Sequence, residues 1–219
     1  MIWDQKDDII LNVTGILPKG RDNTVASSFF AFVDRTKYIN RWGLMRSTDP
    51  ENVCEHSMQT AVLAHALAVA GRDVFGKNVS PEKIAVAALY HDCSEILTGD
   101  LPTPVKYRSS DLETAYKTAE ADAKERLFST LPEGLKKGFE GAVFFEEQNP
   151  ELYYSYVKAA DKLSAYLKCQ NELASGNREF LRAHQGLESS LKKMAEENEE
   201  LKWFMENVLP SYSLTLDDL

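Results

Sequence analysis

From Ser27 onward, apolar residues recur at helical spacing almost to the end of the chain. Phe29, Phe30, Phe32 and Val33, continued by Tyr38 and Ile39, predict a first helix with an aromatic stripe. A polar stretch over 46–51, with Pro50 in it, follows. A second helix is predicted from about Glu55 to about Gly71, where Met58, Val62 and Ala66 recur every fourth residue and mark a buried face. Ser80-Pro81-Glu82 reads as a helix start: a serine cap, a proline at the first helical position, then an acid at the positive end of the dipole. That third helix should run through His91 and Glu95 and stop at Gly99. Pro102 and Pro104 each push the residue before them into extended backbone, so 99–104 is predicted to be non-helical. Helices resume over 111–130, 132–145, 150–175 and 177–208. No segment alternates like a strand and no repeat is visible. The pattern predicts an all-α bundle of about six or seven helices. Residues 1–26, punctuated by Pro18, Gly20, Asp22 and Asn23, read as a partly ordered extension ahead of one domain over 27–219.

Composition narrows the functional class. Of 219 residues, 43% are hydrophobic and 27% charged, an ordinary globular balance. A chain of this length buries about 70% of its unfolded surface, enough for one sizeable core. The net charge of −9 argues against nucleic-acid polymers and anionic membranes, which call for clustered lysine and arginine. It does not argue against small anions, because one local cation outweighs a global sign. No window is long and apolar enough for a transmembrane helix, and the acidic N-terminal stretch does not read as a secretory signal. The scattered Cys54, Cys93 and Cys169 suggest neither a disulfide framework nor a thiolate zinc site. Free thiols in a reducing cytoplasm fit them best.

The chemistry starts at His91-Asp92. Two adjacent ionisable residues lie in an otherwise apolar stretch, with Ala87, Ala88 and Leu89 before them and Ile96 and Leu97 after. Burying them unpaired would cost several kcal/mol, on the order of 2–7 for a polar group alone. A divalent metal resolves this, since imidazole and carboxylate are both ligands for it. Glu95 lies four residues after His91 and so shares its helical face. Among the other histidines, His56 is the better partner. His65 follows it by nine residues, half a turn away at about 100° per residue, and sits in an apolar run as an expected core histidine. His184 lies in a polar helix and is expected at the surface. Asp161 is the candidate carboxylate from a distant helix. Its small neighbours Ala159, Ala160 and Ala165 allow another helix to approach, although an exposed aspartate paired to Lys158 or Lys162 fits the same pattern.

The ordered set His56, His91-Asp92, Asp161 resembles the H…HD…D signature of HD-domain metal-dependent phosphohydrolases. Ile39-Asn40-Arg41-Trp42, Glu55-His56-Ser57, His91-Asp92-Cys93-Ser94-Glu95, Gly99-Asp100-Leu101-Pro102-Thr103-Pro104-Val105-Lys106 and Ala160-Asp161-Lys162-Leu163 are similar to the bacterial 5′-deoxynucleotidases of the YfbR type. The resemblance runs from about Ser28 to the C-terminus. Cys93 departs from it, standing where the family has a small residue such as alanine, which points to packing.

The resemblance implies an HD-domain helical bundle, a homodimer, and one divalent metal ion (Co²⁺, Mn²⁺, Fe²⁺, Zn²⁺ or Mg²⁺) held by His56, His91, Asp92 and Asp161. It implies a catalytic carboxylate at Glu95, where an orienting bond to a ligand histidine is the plainer reading. It makes Asp100 a proton donor or a sugar ligand, where a structural turn is the alternative. It places the substrate, a 2′-deoxyribonucleoside 5′-monophosphate to be hydrolysed to deoxynucleoside and phosphate, against Arg41, Trp42, Asp100, Leu101, Pro102, Thr103 and Lys106. Without it, Arg41-Trp42 reads as a helix end with a core tryptophan. Other HD nucleotide phosphohydrolases, such as phosphodiesterases or pyrophosphohydrolases, would use the same ligands, and a non-catalytic metal-binding helical module is the reading from another class.

Overall fold

The computed structural model describes residues 27–218, so the predicted extension over 1–26 lies outside the described residues. Among the described residues every regular element is helical, as expected. The elements are shorter and more numerous than the periodicity suggests.

The first helix, α1 (Phe29–Val33), tightens into a 3₁₀ turn over Asp34–Tyr38. Its aromatic stripe splits: Phe29 is fully buried and Phe30 is half exposed. Helix α2 (Val53–Asp73) begins two residues earlier than predicted because Asn52 and Glu55 form a capping box. The Asn52 side chain accepts from the Glu55 N–H at 3.0 Å, and Glu55 accepts from the Asn52 N–H at 3.2 Å. Helix α3 (Pro81–Tyr90) starts as predicted, with Ser80 accepting from the Lys83 N–H.

It does not run on to Gly99. At His91 the ladder gives way to tight turns, Cys93 N–H to Tyr90 O at 3.1 Å and Glu95 N–H to Asp92 O at 3.0 Å, before a one-turn helix α4 (Glu95–Thr98). The His91 ring bonds back to the Ala88 carbonyl at 2.7 Å, so a side chain competes with the backbone where the helix ends. Gly99 closes α4 in the left-handed region at φ 74°.

The segment after it corrects a second expectation. Thr103–Lys106 forms a one-turn helix, α5. Pro104 sits in its first turn, where the N–H it lacks has no helical acceptor anyway. Then come α6 (Ser110–Ser129), α7 (Glu133–Val143), α8 (Phe145–Gln148) and α9 (Pro150–Leu152). A π-helical segment over Tyr153–Lys158 leads directly into α10 (Ala159–Ala174). The predicted final helix is two, α11 (Leu181–Ala195) and α12 (Glu199–Asn207), parted where Asn198 caps α12 by accepting from the Leu201 N–H at 2.8 Å.

Helix α2 lies at the centre, packed against α3, α10 and α12. The main core joins Leu63 and Leu67 of α2 to Ile84, Leu163, Leu167 and Leu201. Each fully buried leucine adds about 2 kcal/mol relative to an exposed one. The buried face of α2 is not the expected one. Met58 and Val62 are each 59% exposed, Ala66 is half-buried, and His56, Thr60, Leu63, Ala64, Leu67 and Ala68 point inward. The run around them is apolar nearly all round, so spacing fits more than one face. His65 turns out with Met58 and Val62 and is exposed, not a core histidine. His184 is half-buried rather than free at the surface, its ring 4.6 Å from that of Tyr166. A second cluster gathers Phe29, Cys93, Leu127, Leu131 and Val143, which gives Cys93 the packing role expected of it.

Candidate active site

Three elements converge on one point. His56 comes from the first turns of α2, His91 and Asp92 from the turn after α3, and Asp161 from the first turn of α10. Ala159 and Ala160, both fully buried, let α10 come close to α2. His56 Nε2 lies 3.2 Å from Asp161 Oδ1 and 3.6 Å from Asp92 Oδ2. His91 Nε2 lies 3.1 Å from Asp92 Oδ2. The side chains of His56 and His91 are 0% and 2% exposed.

The second nitrogen of each ring fixes its tautomer. His91 Nδ1 faces the Ala88 carbonyl, which can only accept, so Nδ1 carries the proton. Ser164 donates its hydroxyl proton to Gln59 Oε1 at 2.6 Å and therefore accepts from His56 Nδ1 at 3.0 Å. In the neutral rings both Nε2 atoms then turn lone pairs toward carboxylate oxygens, with Thr60 Oγ1 also 3.4 Å from His56 Nε2. His91 Nε2 is buried and has no hydrogen-bond partner. Lone pairs and carboxylates repel one another unless a cation sits among them, and two imidazole nitrogens with carboxylate oxygens suit a first-row divalent ion. One ligand atom from each of His56, His91 and Asp92 lies within 4.8 Å of the others. The residues fit a metal.

The electrostatics follow from the same packing. Burial works against the charged His91, yet Asp92 and Asp161 overcome it and hold the imidazole pKa above its usual value. Burial would raise Asp92, but the two histidines hold it well below the carboxylate range. Burial acts likewise on Asp161, and there Lys158 and His56 win. Lys158 Nζ donates to Asp161 Oδ2 at 2.6 Å while Oδ1 faces His56. Asp161 is thus both the lysine-paired aspartate and the inward carboxylate, one oxygen for each.

Glu95 is buried, and its Oε2 has no hydrogen-bond partner. Its pKa is pushed up to about 10, by burial first and then by Asp92 and Asp100. Asp100 is also raised, by burial and then Asp92, against the pull of Arg41. Among the groups that raise Glu95, Asp92 and Asp161 are ones a cation in the cluster would neutralise.

Arg41 reaches the cluster directly, its Nη1 donating to Asp92 Oδ2 at 3.4 Å and its Nε to Glu51 Oε2 at 3.2 Å. Trp42 stands beside it with φ 60°, its indole against Phe180 and its Nε1–H on Glu51 Oε2 at 2.8 Å. Leu101 and Pro102 are half-buried and Thr103 is exposed. Lys106 is drawn elsewhere: its Nζ donates to Glu120 at 2.9 Å and lies 4.6 Å from the Tyr116 ring centroid. Tyr116 in turn donates to the Gly99 carbonyl at 2.8 Å and so steadies the turn that carries Asp100.

Glu51, Gln59 and Ser164 join the site without having been expected there, while Lys158 pairs with Asp161 as one of the two patterns allowed. Gln59 and Ser164 each lie three residues beyond a predicted ligand, the spacing of helical neighbours, and that signal was available. Glu51 had none.

A family described as 5′-deoxynucleotidase YfbR-like matches residues 28–212. The chain belongs to this family. It is 49% identical to the 5′-deoxynucleotidase YfbR of Escherichia coli over 193 residues, 88% of this chain and 96% of that one. It is 47% identical to a 5′-deoxynucleotidase of Erwinia tasmaniensis over 195 residues, 89% of this chain and 97% of that one. Solved structures share the fold of this YfbR-like chain at lower identity. An HD-domain phosphohydrolase of Listeria innocua superposes with a TM-score of 0.73 at 22% identity, covering 84% of this chain and 88% of that one. A cyanophage S-2L HD phosphohydrolase, bound to dA and one catalytic Zn²⁺, gives 0.56 at 21%, covering 83% and 96%. In the YfbR-like chain, the four residues of the H…HD…D order are the four that meet at the cluster.

Proposed function

We propose that this YfbR-like enzyme hydrolyses 2′-deoxyribonucleoside 5′-monophosphates to deoxynucleoside and phosphate. The observation that carries the reading is the pair of imidazole lone pairs facing Asp92 and Asp161, in a chain that aligns nearly end to end with relatives named 5′-deoxynucleotidases. His56, His91, Asp92 and Asp161 would hold one divalent metal: Co²⁺, Mn²⁺, Fe²⁺, Zn²⁺ or Mg²⁺ all accept such a donor set. Bound there, the metal supplies Lewis-acid polarisation of the phosphate and makes water more acidic.

The chain's own groups do the rest. Arg41 uses its outer N–H groups to hold equatorial phosphate oxygens as charge builds on them. Glu95, buried and otherwise unpartnered, orients the attacking water and takes its proton. As the P–O5′ bond breaks, Asp100, whose raised pKa favours the acid form, gives a proton to the leaving oxygen. Trp42, Leu101, Pro102 and Thr103 form the walls around the nucleoside, and the prolines keep that wall shaped before binding. Lys106 shapes the wall through Glu120 and Tyr116 rather than meeting the phosphate.

The enzyme forms a homodimer in this reading, supported by the exposed Met58 and Val62 on the outer face of α2. A monomeric mass in sedimentation equilibrium would refute that. A cytoplasmic setting is supported by three free cysteines, and among the described residues no helix is long and apolar enough to cross a membrane.

The test is phosphate release from dAMP and AMP with each metal in turn. A cyclic dinucleotide and a nucleoside polyphosphate serve as controls. Expected is metal-dependent release that favours dAMP and stops with chelator. Release from the controls but from neither monophosphate sinks the reading.

A further inference from the structure

We propose that Glu51 is a positioning residue for substrate binding, a single carboxylate oxygen that aims both Arg41 and Trp42. The proposal rests on the reading of those two residues as substrate contacts. Glu51 Oε2 accepts from Arg41 Nε at 3.2 Å and from Trp42 Nε1 at 2.8 Å. The side chains of Glu51 and Arg41 are only 11% and 12% exposed, so water competes little for these bonds.

The backbone brings Glu51 to its place. The Arg41 N–H donates to the Glu51 carbonyl at 2.9 Å and the Val53 N–H to the Ile39 carbonyl at 3.0 Å, around an isolated bridge between Asn40 and Asn52. Residue 51 therefore lies across from residue 41. Its loop is tied down at the other end, where the Thr48 and Asp49 N–H groups donate to Glu172. The acceptor is thus a fixed point.

Two facts show that something must hold these side chains. Trp42 is the one non-glycine residue with positive φ among the described residues, a backbone that L residues adopt only when surroundings enforce it. Its indole is held by the Phe180 ring, tilted 58° to it at 5.3 Å, and by Glu51 at Nε1. The guanidinium, for its part, has five N–H donors in a rigid fork. Glu51 takes the Nε donor and Asp92 one on Nη1, so the fork cannot rotate and its remaining donors stay free for an anion.

The test compares Glu51→Gln and Glu51→Ala with wild type under dAMP turnover. Competitive inhibition by inorganic phosphate reports on the groups that hold the phosphate, Arg41 among them, without the nucleoside. Expected for Glu51→Ala is a rise of ten-fold or more in both KM and the phosphate inhibition constant, with a smaller change in kcat and with metal content retained. Glu51→Gln keeps an acceptor and should recover part of the loss. In an Arg41→Ala background, Glu51→Gln should leave the phosphate inhibition constant unchanged. The Trp42 indole N–H, identified by its loss in Trp42→Phe, should exchange faster with solvent in Glu51→Gln. That NMR readout needs no activity, and Glu51→Gln preserves shape if the alanine variant does not fold. Variants that hold metal and keep wild-type KM, phosphate inhibition and indole protection overturn the inference. Wild type inactive on every monophosphate overturns instead the functional reading, which the indole measurement does not need.

Discussion

Ser164 shows how much of the site depends on residues that make no chemical claim of their own. It accepts from His56 Nδ1 and donates to Gln59, which turns the neutral His56 Nε2 into the cluster, where Thr60 Oγ1 lies 3.4 Å away. Such outer partners commonly set metal affinity by about ten- to a hundred-fold. Glu95 carries the residue-scale prediction. Its pKa is raised from an ordinary 4.5 to about 10 without metal, by burial and then by Asp92 and Asp100. The native state therefore keeps a proton that the unfolded chain gives up above its ordinary pKa. The stability this confers is full at low pH and lost as pH rises toward about 10, at a slope of at most ~1.4 kcal/mol per pH unit. Asp92 and Asp161 have lowered pKa values, so their contribution is present above the ordinary carboxylate range and lost in acid. Urea unfolding of metal-free protein between pH 6 and 9 should show stability falling with pH, and Glu95→Gln should flatten that slope. An unchanged slope would show that Glu95 is ionised in the folded protein. At this scale the ligand set was legible because metal chemistry admits few residue types. Glu51 was not, because an aiming carboxylate looks like any other acid until its donors are seen.

At the scale of elements, the sequence showed where helices start better than where they stop. Ser80-Pro81-Glu82 marks the start of α3 because capping is local chemistry. The end of α3 at Tyr90 was hidden, because it depends on His91 turning back to the Ala88 carbonyl within an otherwise helical apolar run. The gap between α11 and α12 has a local cause that was overlooked, Asn198. It caps α12 and also donates to the Ser155 carbonyl at 2.6 Å, inside the π-helical segment. Asn198→Ala should therefore cost more than a simple cap, about 2 kcal/mol, read as a lower urea midpoint. A loss near zero would mean that water replaces both bonds. The face of α2 misled for another reason: with apolar residues nearly all round, only His56 and its partners decide which side turns in.

For the whole molecule, the all-α architecture was legible from periodicity alone, while the bracing of the substrate side was not. That side is held by Glu172, almost fully buried, which accepts from the Thr48 and Asp49 N–H groups, the Thr48 hydroxyl, Lys168 and Asn177. Its partners at Thr48 lie 124 residues away in sequence. Helices α2 and α3, by contrast, are neighbours along the chain and can dock as a local pair. Closing a loop as long as the one to Glu172 costs about 4 kcal/mol of chain entropy before any bond forms. The two halves of the site should thus mature at different moments during folding. The imidazole side comes first, and the arm bearing Arg41, Trp42 and Glu51 locks afterwards. Pulsed hydrogen exchange during refolding should find amides of α2 and α3 protected before those of Thr48 and Asp49, and simultaneous protection would show one cooperative step. A newborn chain would then gather His56, His91 and Asp92 first, and one helix, α10, would deliver both the last carboxylate for the ion, Asp161, and the brace for the nucleotide arm, Glu172.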